Sequence, residues 1–233
     1  LPYRKANAIY DPVKFAYVGG VGRGGAVVMV NGESERRLHD KAQPPLFFGM
    51  LDGTRAIEQV SIWGAEFLGW NLKVVTGYHG AHDIYLAMER GELHGRCGSG
   101  VQSLEISRPG WVREGKVNIP VQFAYERGKV LPDTPTVYEL APDERTRAVL
   151  GLVIAPVEMN RPIFTTPDVP SERVEALRRA FHAAISDPEF LAEAKRQRLE
   201  IEENTGERVQ KIIRDAYALP SDIVKTAKDA IAA

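Results

Sequence analysis

The sequence predicts an α/β fold with a mostly parallel sheet. Three observations lead there. Between residues 15 and 126, short runs rich in Val, Phe and Ile alternate with a stretch of helical apolar spacing and then a shorter one. Glycine-containing turns separate these segments. The last third changes character, to amphipathic helices joined by proline-rich connectors.

Taken in order, FAYVGG (15–20) and AVVMV (26–30) read as two strands flanking a glycine loop. PLFFGML (45–51) reads as a buried strand. Residues 55–70 place Ile57, Val60, Trp63 and Phe67 near one face of a helix. NLKVVTGY (71–78) is a strand running into a turn, and DIYLAMERGE (83–92) a short helix stopped by Gly91. LHGRCG (93–98) and NIPVQFAYE (118–126) complete the strands. Residues 172–185 then form an amphipathic helix. Ser186, Pro188 and Glu189 supply a cap, a first-turn proline and a capping-box acid for the next helix. Thr205 caps a third helix over ERVQKIIRDAYA, and Ser221 a last short one.

Composition excludes several function classes. With 30 basic and 31 acidic residues, net charge is -1, so no global field attracts nucleic acid or an anionic membrane. One cysteine allows no internal disulfide, and Cys97 reads as a buried structural thiol. No window approaches 18 consecutive apolar residues, so no transmembrane helix is expected. No signal peptide is expected within the chain, which begins LPYRK without an initiator Met.

GVGRGG (20–25) matches the glycine pattern of dinucleotide-binding turns. That motif works because a helix N-terminus follows it, whereas AVVMV is a strand. The loop is therefore read as a place where backbone bends or approaches a ligand, with Arg23 among the candidate contacts. His79 with His82, and His94 with Cys97, have spacings zinc can use, but no second cysteine supports a metal site. No G-x-S-x-G elbow is present, and no general base has an obvious partner. No cofactor is expected.

Position is more informative. In an open parallel sheet, ligands bind beyond the carboxyl ends of strands, near helix N-termini. LDGTR (51–55), TGYHGAH (76–82) and CGSG (97–100) occupy such places. Their free N–H groups suit an anion. Thr54, Tyr78 and Ser99 add hydroxyls, and Arg55 or His79 could add charge. The set describes a carboxylate-binding crevice better than catalytic machinery.

KFAYVGGVGRGGAVVMV, VVTGYHGAHDIYLAMERGELHGRCG, SRPGWVREGKVNIPVQF and NRPIFTTPDVPSERVEALRRAF, in this order, resemble the receptor proteins of tripartite tricarboxylate transporters, the Bug-type extracytoplasmic solute-binding proteins. The resemblance covers nearly the whole chain. It implies a periplasmic-binding-protein-like (type II) two-lobed fold, with crossings near AVVMVN and NIPVQF. Residues 33–117 would form the second lobe, and 1–32 with 118–233 the remainder of the first. Family members begin with further strand–helix units, so the first lobe is expected to be incomplete at its N-terminus. Apolar surface left open there would invite homo-oligomers.

The family's second-lobe ligand loops fall on Gly53 and Thr54, on Tyr78, His79 and Gly80, and on Gly98 and Ser99. LDGTR matches loosely, because relatives are richer in Gly and Ser there and Asp52 would repel a carboxylate. The resemblance further implies a periplasmic receptor that hands a small carboxylate to membrane permease subunits, with no nucleic-acid partner and no covalent chemistry. A sensory module feeding a signalling partner, and an enzyme on a similar scaffold using His79, Asp83 or Cys97, stay open as alternatives.

Overall fold

The structure, a computed structural model, describes residues 9–22, 26–53, 56–197, 199 and 201–232. Strand β1 (Ala16–Val21) lies in the middle of a three-stranded antiparallel sheet, between β7 (Arg161–Thr165) and β8 (Glu203–Thr205). The second sheet has five strands. They are β2 (Ala26–Asn31), β3 (Leu46–Gly49), β4 (Leu72–Val75), β5 (Gly95–Ser99) and β6 (Val117–Phe123), in spatial order β4-β3-β5-β2-β6. β4, β3 and β5 are parallel neighbours, and β2 runs against both β5 and β6. The sheet is thus mixed, with its parallel part built from the strand–helix rhythm of the sequence.

By strand pairing, β2 and β6 belong to this sheet. The expected boundaries at 33 and 117 leave out β2 and all of β6 but its first residue, Val117. The antiparallel ladder of β2 against β6 is the reason, since it runs from Ala26↔Phe123 to Asn31↔Val117. The chain leaves the three-stranded sheet after Val21, enters the five-stranded one at Ala26, and returns after Phe123.

Alternation along β2 decides what each face meets. Ala26, Val28 and Val30 join Phe48, Cys97 and Phe123 in one buried cluster, under Val60 and Trp63 of α1 (Ala56–Phe67). Val27 and Met29 face the other way. There they meet Ile84, Tyr85 and Met88 of α2 (Ala81–Glu89), Leu104 of α3 (Val101–Ser107) and Trp111. Helix α4 (Glu144–Met159) fills the space between the two sheets. Its Leu150, Val153 and Ile154 enter the first cluster. Its Val149, Leu152 and Ala155 join Tyr17 of β1 and Val209, Ile212 and Ile213 of α7 (Gly206–Ala218). A helix buried on both sides must be apolar nearly all round, which explains its sequence.

Helices α5 (Ser171–Ile185), α6 (Pro188–Arg196) and α8 (Ser221–Ala232) complete the chain. Asp187, rather than Ser186, caps α6: its carboxylate accepts from the N–H groups of Glu189 and Phe190, each at 2.9 Å. Ser186 instead ends α5. Thr205 caps α7 as expected, accepting from Arg208 N–H. Ser221 is the first residue of α8 and not its cap, and α8 is a 12-residue helix. No helix among the described residues is long and apolar enough to cross a membrane.

Candidate functional site

Because β4, β3 and β5 are parallel neighbours, the loops leaving their carboxyl ends share one edge of the sheet. Backbone bonds tie the first two loops together. Met50 N–H donates to Val75 C=O at 3.0 Å, and Gly77 N–H donates to Leu51 C=O at 2.7 Å. Two glycines here use conformations that side chains avoid, Gly53 at φ +73 and Gly77 at φ +101. The buried acid Glu58 folds the first loop back by accepting from Gly53 N–H at 3.3 Å, while Gln59 donates to the Gly53 carbonyl. Helix α2 starts after Gly80 with no side-chain cap bond.

Of the nine residues expected to contact a ligand, Gly53, Tyr78, His79, Gly80 and Gly98 lie at or next to this edge. Tyr78 is half-buried against the α2 cluster and His79 is exposed. Ser99 ends β5, opposite Ala26. Arg23, Thr54 and Arg55 lie outside the described residues. His94 serves the sheet: its Nδ1 accepts from Phe47 N–H at 3.0 Å, which leaves the ring neutral with its proton on Nε2. Burial, with Arg37 nearby, holds it below the ordinary histidine value. Burial pushes the Cys97 thiol up to about 12, against weaker opposing effects from Ser61 and Arg96, so it stays protonated. Among the described residues no three His, Cys, Asp or Glu side chains converge as a metal cluster would require.

Beside this edge opens a cleft of about 550 Å³, where the chain passes between the sheets. Val21 and Gly22, Ala26 and Val27, Ile57, Gly100 to Ser103 and Asn160 with Arg161 line it. The five expected residues named above do not line it directly. Of these five only Gly98 has a partner there, Val27; Ala26, which pairs with Ser99, Gly100, which follows it, and Ile57 near the start of α1 also line the cleft. The glycine loop after β1 thus reaches the cleft through Gly22.

Three lining residues were invisible as site residues in the sequence. Asn160 adopts φ 49 and donates from Nδ2 to the Val21 carbonyl, closing the cleft's end. Arg161 adds a cation. Gln122, buried on β6, shapes the wall at 128–134. Its Nε2 donates to the carbonyls of Leu131 at 2.8 Å and Thr134 at 2.6 Å, and its Oε1 accepts from Gly128 N–H at 3.0 Å. Replacing Gln122 with Leu strands these backbone groups. We expect a loss of about 2 kcal/mol in urea unfolding, with protease nicking newly concentrated at 128–134. Unchanged stability and digestion would show that the wall does not depend on Gln122.

A TctC solute-binding protein from Polaromonas superimposes with TM-score 0.66 at 15% identity, over 94% of this chain and 69% of that one. The periplasmic binding protein BugD gives TM-score 0.58 at 18% identity, over 98% and 74%. The chain has the TctC/Bug fold. MatC from Rhodopseudomonas palustris, solved with malate, also shares it, with TM-score 0.56 at 15% identity over 99% and 74%. Neither the protein-family models nor the curated proteins gave a match. The expected periplasmic-binding-protein-like architecture is therefore present, and the TctC/Bug fold accounts for the two sheets with the cleft at their crossing.

Proposed function

We propose that this chain is a solute-binding receptor for a small carboxylate, working outside the cytoplasm with the membrane subunits of a tripartite tricarboxylate transporter. The observation that carries this is the convergence of three short polar loops on one edge of a parallel three-strand unit, beside a cleft at the crossing between sheets. Free backbone N–H groups at strand ends and helix starts suit an anion. Gly53, Thr54 and Arg55, Tyr78, His79 and Gly80, Gly98 and Ser99, and Arg23 are the proposed contacts. Similarity to MatC, solved with malate, supports the ligand class. The chain would close around its ligand by relative movement of residues 33–117, together with β2 and β6, against the rest. Solute capture needs no covalent step and no cofactor.

Thermal unfolding with succinate, citrate or benzoate, against succinamide and benzamide, tests this. At about 100 times its dissociation constant the right acid adds about 2.7 kcal/mol. For a chain of this length that raises Tm by roughly 5–10 °C. Equal shifts from acids and neutral amides, or none from either, would refute the carboxylate reading.

A further inference from the structure

Arg96 lies in the middle of β5, opposite Met29, and is only 6% exposed. Its Nε and Nη1 are buried with no hydrogen-bond partner. No ion pair among the described residues reaches it. Its guanidinium stands 5.2 Å from the centre of the Tyr85 ring. Arg108, flanking the same ring at 5.6 Å, differs in having its charge answered by Glu89 at 2.7 Å. A buried cation with two of its three nitrogens unbonded and an aromatic face beside it is incompletely compensated. Its field is nevertheless felt: it opposes the upward shift that burial gives both the Tyr85 phenol and the Cys97 thiol.

The direction of the side chain matters as much as its charge. A Cβ built on Gly98 would sit 2.5 Å from Nη2, 2.6 Å from Nε and 2.8 Å from Cζ of Arg96. The guanidinium therefore lies over Gly98, displaced along β5 toward its carboxyl end. That is the end from which the loops leave. Val27, which pairs with Gly98, lines the cleft, and so does Gly100, two residues on. A planar guanidinium is also the side chain best matched to a carboxylate, which it can grip through two parallel N–H donors.

We propose that Arg96 supplies the cation of the binding site, its guanidinium receiving a carboxylate that enters from the cleft past Val27 and Gly100. Gly98 is bare so that the guanidinium can lie along the strand. This rests on the carboxylate reading above and names the residue that answers the ligand's charge.

The test compares the wild type with Arg96→Met and Arg96→Lys, using succinate, citrate and benzoate as probes with the two neutral amides as controls. We expect Arg96→Met to lose at least 30-fold in affinity for the acid the wild type prefers, and Arg96→Lys to fall between. In anion-poor buffer Arg96→Met should unfold no lower than the wild type, because it removes an uncompensated charge. Acid affinity within threefold of wild type in Arg96→Met would overturn the role of Arg96 while leaving the receptor reading intact. If Arg96→Met does not fold, undiminished affinity in Arg96→Lys overturns it equally, since a point charge cannot reproduce the paired grip. A wild type that responds to no acid overturns the receptor reading and this proposal together.

Discussion

Phe48→Ala is expected to cost about 3–5 kcal/mol, the range for emptying a fully buried phenylalanine site. Phe48 is fully buried on β3, the strand between β4 and β5. A Cβ on Gly95 would meet the Met29 carbonyl at 2.3 Å and the Phe48 ring edge at 2.7 Å, so the neighbouring strand has no room for a side chain there. Backbone cannot collapse into the vacated space, because the β3, β5 and β2 ladders fix it on every side. At roughly 2–4 °C per kcal/mol for this length, Tm should fall by about 10 °C. Phe47, one residue earlier, points to the other face and is 40% exposed. Phe47→Ala should cost well under 1 kcal/mol. Equal losses from the two would mean that the alternation assigned to β3 is wrong.

β3 was readable as a strand, though not its alternation, because it is a short, strongly apolar run. The same holds for β2, and α1 could be read because its apolar residues keep helical spacing. Helix α4 was not readable as a helix. VLGLVIAPV has no polar stripe, since one side faces the first cluster and the other the second. The local clue was its cap: Asp143 accepts from Thr146 N–H at 2.7 Å, an aspartate three residues before its partner. Strands β7 and β8 carried less. β8 is the three residues ENT, held by pairing with β1 across almost the whole sequence. β7 leaves Ile163 and Phe164 about half exposed, with Phe164 stacked on Phe15, so burial does not mark it as a strand.

The site divides along the same line. The loops at 51–55, 76–82 and 97–100 could be located because they follow parallel strands. Gln122, Asn160 and Arg161 come to the cleft only through the crossing between sheets, which no local pattern encodes. Arg96 reads in sequence as one polar residue in a strand, and its isolation is a property of packing alone.

Glu158→Ala is expected to be nearly as damaging as Phe48→Ala, for the opposite reason. Glu158 is a buried acid near the end of α4, its side chain 3% exposed. Its Oε2 accepts from Arg208 Nη2 at 2.8 Å, and its Oε1 accepts from Tyr125 N–H at 3.3 Å. Its backbone carbonyl accepts from Asn204 at 2.7 Å. Tyr125 follows β6 of the five-stranded sheet, while Arg208 is on α7 beside the three-stranded one. One carboxylate thus fastens both sheets to the helix between them, just before the cleft residues Asn160 and Arg161. Burial, and the Glu158 charge beside it, also hold the Tyr125 phenol above its ordinary value. Removing one partner of a buried pair costs about 3–5 kcal/mol, because it leaves the other charge uncompensated. Arg208 keeps 29% of its side chain in solvent, which places the expected loss near 3 kcal/mol. Arg208→Met in the same chain should then restore much of it, since the stranded cation is gone. A double variant no more stable than Glu158→Ala would show that the damage comes from the Tyr125 N–H and not from the pair. If instead the double variant regains stability but binds acids more weakly than the wild type, the pair's main contribution is to hold the two sheets at the spacing the cleft requires.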